Sequence, residues 1–73
     1  MATGAVKWFD ARKGFGFIAP DCGPRDVFVH ASAVAASSFV VLEPGLRLEF
    51  ELTQTTDGRL LALGLRHLDG DGR

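Results

Sequence analysis

The chain has 73 residues, 47% of them hydrophobic and 23% charged, which is enough apolar surface for one small core and too much for a disordered chain. The formal net charge is −1, which excludes a polyanion partner gathered by bulk charge and leaves only a local cluster of Lys and Arg for that purpose. One cysteine, Cys22, makes no internal disulfide, and two histidines far apart in the chain give no metal-ligand spacing, so a reducing, cytoplasmic setting with no metal, cofactor or membrane span is expected.

In chain order the pattern predicts five strands and no long helix. Runs at 3–10, 14–19 and 26–30 are rich in Val, Ile, Phe and Trp and are bounded by Gly, Pro and Asp. "DARKG" joins the first two as a hairpin loop, and "PDCGPR" is a Pro/Gly corner before the third. Residues 31–44, "ASAVAASSFVVLEP", form a long small-residue-rich crossover with room for one helical turn near 32–34. The run at 46–54 alternates, with Leu46, Leu48, Phe50 and Leu52 on one face and Arg47, Glu49, Glu51 and Thr53 on the other. The Asp-Gly of "TTDGR" then turns the chain into a fifth strand at 59–67.

Residues 1–68 are expected to be the domain and 69–73, "DGDGR", a polar tail whose Asp-x-Asp-Gly lacks the later ligands of a calcium loop. Regularly spaced short strands without helices predict an all-β, five-stranded antiparallel barrel, because closure removes exposed edges.

One face of each strand supplies Val6, Ile18, Val27, Val29, Leu46, Leu48, Phe50, Leu61, Leu63 and Leu65. That set already fills a small barrel. Trp8, Phe15, Phe17 and Phe28 are left facing outward, since a chain this short has no second layer to cover them. Lys7, Arg12, Lys13 and Arg25 interleave with these rings and with His30. Flat rings beside cations suit the stacked bases and phosphates of a single strand, whereas an ordinary protein contact would use Leu and Met as freely.

The alternative use of the same face is protein–protein contact or self-association; Leu60 and Leu68 lie off the expected core face and either support that or fill the barrel's rim. An enzyme acting on a small-molecule substrate is not expected. His30 with Asp26 is the only acid–base pair in view, and no nucleophile accompanies it.

"GAVKWFDARKGFGFIAPD" and "DVFVHASAV" closely resemble the two ribonucleoprotein-type motifs of cold-shock domains, and the likeness runs in register through Phe39 and "LEPGLRLEF", over about residues 3–52. The resemblance implies a Greek-key OB-fold barrel that binds single-stranded RNA or DNA as a monomer or a strand-exchanged dimer. It also implies a stress-response role as a passive RNA chaperone of low sequence specificity. By position it puts Lys7, Trp8, Lys13, Phe15, Phe17, Phe28, His30 and Phe39 on the nucleic-acid face, with Asp26 accepting hydrogen bonds from base edges.

Phe39, read from the residues alone, is a hydrophobic anchor of the long crossover, and only the family register makes it a stacking residue. Three departures stand out. Asp10 replaces the usual Asn of "WFN" and can accept but not donate hydrogen bonds. Ala31 replaces an aromatic after "VFVH" and removes one platform. Beyond Thr53 the likeness thins, with a Leu-rich last strand and Gly64 where Asn is common.

Overall fold

Five strands form where the alternating runs predict them, each bound within one residue: β1 Ala2–Asp10, β2 Phe15–Pro20, β3 Val27–His30, β4 Arg47–Gln54 and β5 Leu60–His67, with one short helix, α1, at Ala31–Ala35. The structure is a computed structural model describing residues 2–21, 23–37, 39 and 42–68; Cys22 and the expected tail at 69–73 lie outside the described residues. No helix among the described residues is long and apolar enough to cross a membrane.

The strands close into a barrel in the order β1-β2-β3-β5-β4, with β4 returning to β1. Every ladder is antiparallel except β3 with β5, which meet in parallel at Phe28 and Leu61. The expected five-stranded antiparallel barrel forms, and its one parallel seam follows from arithmetic: an odd number of strands cannot alternate direction all the way around a closed ring. The crossover at 31–46 is what makes this possible, because parallel neighbours need more than a tight turn between them.

Val6, Ile18, Val27, Val29, Leu48, Phe50 and Leu65 are buried as the sequence predicts, and Leu46 packs partly against them. The crossover adds Ala33, Val34, Phe39 and Leu42 to the same core. Leu60 packs on the core from the rim.

β5 departs from the expected phase. Glu49 faces Arg66 while Glu51 faces Leu63, so two steps along β4 span three along β5. The extra residue falls around Gly64, whose φ of +58° is a conformation other residues adopt reluctantly. This bulge reverses the alternation. Ala62 is fully buried, Leu61 is half-buried, and Leu63 is 40% exposed, so Leu61 and Leu63 leave the core assigned to them. Leu52 is also open to solvent, because the ladder with β1 ends at the pair Ala2 and Phe50 and leaves the rest of β4 uncovered on that side.

Candidate nucleic-acid interface

The outward rings come together through a second bulge. Val6 faces Ile18 while Trp8 faces Phe17, so β1 carries one extra residue at Lys7. A regular strand would put Val6 and Trp8 on the same side; here Val6 is buried and Trp8 is 40% exposed. The register then runs Trp8 opposite Phe17 and Phe17 opposite Phe28, with Phe15 opposite His30. Gly16, between two of the phenylalanines, points inward. A Cβ there would fall 2.6 Å from Phe9 Cα and closer still to the Trp8 carbonyl, so only glycine lets β2 approach β1 this closely.

The five rings form one connected surface. Trp8 meets Phe15 and Phe17 edge-on, with centroids 5.8 and 5.4 Å apart. Phe28 stacks on Phe15 at 5.7 Å, meets Phe17 edge-on at 5.8 Å, and lies 6.3 Å from His30. Phe15, Phe17 and Phe28 are half-buried, with their edges braced by neighbours, while His30 is exposed. Rings held by one another lose little freedom when a flat partner lands on them.

Phe39 is the exception to the ring face. It is 7% exposed, belongs to the core cluster, and lies against His67 at a centroid distance of 4.0 Å. It is packed as the anchor that a lone aromatic in a long crossover would be, and does not join the ring face on which the family register would place it.

The charged residues frame this surface. Lys7 Nζ lies 3.1 Å from Asp26 Oδ2, both groups being exposed. Asp10 Oδ1 accepts from the backbone N–H groups of Arg12 at 2.9 Å and Lys13 at 3.1 Å, so the carboxylate shapes the very turn that carries those two cations. Arg25 Nη2 donates to the Gly58 carbonyl at 2.6 Å, joining the β2–β3 loop to the β4–β5 turn.

His30 caps α1: its Nδ1 accepts from the Ser32 backbone N–H at 3.1 Å and lies 3.0 Å from the Ser32 hydroxyl. With Nδ1 turned to Ser32, Nε2 is the ring nitrogen left to meet a ligand. Asp26 and His30 are therefore engaged with Lys7 and Ser32 and not with each other. Among the described residues no group of three or more metal-ligating side chains is present. Ala31, where the family has an aromatic, is half-buried at the start of α1 and offers no ring.

The sequence reading missed Leu61, which pairs with Phe28 on the outer side of the barrel. Gly64 was the available signal, as an isolated glycine inside a strand run often marks a bulge.

Comparison with known proteins agrees with this arrangement. The family model described as 'Cold-shock' DNA-binding domain matches residues 2–65, which includes the β4–β5 turn and most of β5, beyond the point where the motif likeness thins. Similar proteins include a probable cold shock protein A of Mycolicibacterium smegmatis, 52% identical over 58 residues that cover 80% of this chain and 87% of that protein. Cold shock-like protein CspE of Escherichia coli is 53% identical over 55 residues, covering 75% of this chain and 80% of its own length. Glycine-rich protein 2 of Nicotiana sylvestris is 46% identical over 69 residues, 94% of this chain but 32% of that longer protein. With its two motifs on adjoining strands of a closed five-stranded barrel and a matching family model over nearly its whole length, the chain belongs to the 'Cold-shock' DNA-binding domain family.

Proposed function

We propose that the chain binds unpaired RNA and DNA by stacking successive bases on Trp8, Phe15, Phe17, Phe28 and His30, while Lys7, Arg12 and Lys13 meet the phosphates. The observation that carries this reading is the unbroken outward ring surface, whose members touch one another at centroid distances of 5.4 to 6.3 Å. Isolated exposed rings would fit many partners; a connected sheet of them beside lysines fits a chain of bases. Base faces are accessible only out of the duplex, so binding favours single strands and draws weak hairpins toward their open forms. That is passive chaperoning of RNA, with no bond made or broken. One chain carries the whole ring row, so a monomer suffices.

Lys7 reaches a phosphate by exchanging its partner Asp26, which frees that carboxylate to accept from a base edge. The exposed pair costs little to separate.

The test is to compare Phe17→Ala and Phe28→Ala with the wild type on a short oligopyrimidine. Each ring contributes ~1–3 kcal/mol to stacking, so each variant is expected to bind roughly 5- to 150-fold more weakly while remaining folded. Unchanged affinity in both would remove the ring face from the binding site. A self-association module would instead show these variants altering only the oligomeric state.

A further inference from the structure

We propose that the strand's path continues past Phe28, across the parallel β3–β5 seam, into a notch where Arg25 and Arg59 together hold a phosphate of the same single strand; this extends the function proposed above and rests on it. The outward row Trp8, Phe17, Phe28 gains Leu61 as its next member through the Phe28–Leu61 pair. Beside that pair lies a groove lined by Phe17, Arg25, Asp26, Phe28, Arg59 and Leu60. Its apolar lining is Phe17, Phe28 and Leu60, and its two cationic walls come from different loops.

Those walls are fixed relative to each other. Arg25 spends one nitrogen on the Gly58 carbonyl, at 2.6 Å, and so holds the β2–β3 loop against the turn that precedes Arg59. Arg59 Nε lies 3.5 Å from Asp57 Oδ2; among the described residues its terminal nitrogens have no partner. In the free protein Asp26 is paired with Lys7 at 3.1 Å and, once Lys7 turns to a phosphate, with a base edge; Asp57 is paired with Arg59 and with the Thr55 hydroxyl. The Thr55 hydrogen bond holds the Asp57 carboxyl below its ordinary range, so it stays ionised beside Arg59.

What remains unanswered is guanidinium. Two guanidiniums lining one groove with Phe17 and Phe28 match the oxygens of a phosphodiester, with the rings receiving the adjoining sugar or base. A second apolar partner would leave those donors buried and unpaired, which disfavours a protein occupant.

The experiment measures affinity across a range of salt concentrations for oligothymidylates of about four and about eight nucleotides, the lower part of the range one such barrel covers. The proteins are wild type, Arg59→Gln, Arg59→Lys and Phe17→Ala. With the longer strand, Arg59→Gln is expected to lower the slope of log affinity against log salt by about 0.7, the loss of one single-strand phosphate, and Arg59→Lys to keep it. With the shorter strand, which the ring row accommodates, wild type and Arg59→Gln bind alike. Equal slopes for wild type and Arg59→Gln on the longer strand would overturn the notch while leaving the ring face standing. If Phe17→Ala binds both lengths as the wild type does, the ring face fails and the notch falls with it.

Discussion

Asp10 differs from an asparagine by one group, and the turn geometry says where that group acts. Oδ1 is taken by the Arg12 and Lys13 N–H groups, a task an amide oxygen would perform equally well. The difference is confined to the second atom, a carboxylate oxygen that accepts where an amide nitrogen would donate. Relative to Asp10→Asn, the wild type is expected to favour cytosine over thymine or uracil by roughly 2- to 12-fold, the range for one net hydrogen bond of ~0.5–1.5 kcal/mol. Homopolymer titrations check it, and identical base rankings in the two proteins would refute it.

Ala31 is a subtraction of a different kind. Its N–H is held by the Gly14 carbonyl at 2.8 Å, so its backbone is fixed and only the ring is missing. Ala31→Phe is expected to tighten oligonucleotide binding by roughly 5- to 150-fold, one stack of ~1–3 kcal/mol; no gain would mean that the strand passes elsewhere. Both positions were legible from the sequence because they interrupt a long motif. Phe39 was legible as a core anchor from its isolation, and the family register pointed the other way.

Strand periodicity predicts every strand, yet two bulges decide which side chains the strands present. The bulge at Lys7 puts Val6 inside and Trp8 outside. "GAVKWFD" gives no sign of it, since no glycine or proline stands at the bulge. Trp8 was placed outward by a different route, because the core was already full. In β5 that reasoning fails: Leu61 and Leu63 satisfy period two and read as core, whereas the positive φ of Gly64 resets the phase in favour of Ala62.

Gly16 tests how tightly β1 and β2 must approach. Gly16→Ala places a methyl against backbone atoms that cannot yield, and a loss of ~1–3 kcal/mol is expected in urea unfolding. A variant as stable as the wild type would show that the strands can part at this point without cost.

The ends of β2 and β4 are joined by Asp21. It receives Arg47 at 2.7 and 2.8 Å and the Thr3 hydroxyl at 2.7 Å. The Arg47 hydrogen bonds, followed by that from Thr3, bring the Asp21 pKa down to about 2 from 3.8, and Asp21 in turn raises that of Arg47. A depressed carboxylate stabilises above its unfolded pKa and ceases to do so as pH falls through the folded one. The advantage of wild type over Asp21→Asn is therefore expected to be complete above pH 3.8 and to vanish as pH approaches about 2. Since the pair is solvent-exposed the effect is small, and thermal melts across that window read it; a difference independent of pH would contradict the assignment.

The molecule as a whole is slightly acidic, yet the ring face is not. Lys7, Arg12, Lys13 and Arg25 surround the rings, against Asp10 and Asp26. Net charge therefore set a limit on long-range attraction without describing the local field. The closed ring of five strands has the same character: its strand count was readable from the sequence, and one parallel seam follows from closing an odd number. The placement of that seam at β3 and β5 depends on the crossover, whose composition does not specify its route.

The barrel's interior is mainly aliphatic, with Phe39 and Phe50 among it, and its only tryptophan is left 40% exposed, braced by Phe15 and Phe17. The direct test is the fluorescence of Trp8 during titration with a short oligopyrimidine and, separately, with a duplex of matching sequence. Quenching that saturates with the single strand and is absent with the duplex is the predicted result. Emission that responds equally to both, or only to protein concentration, would contradict the claim that unpaired bases stack on this face.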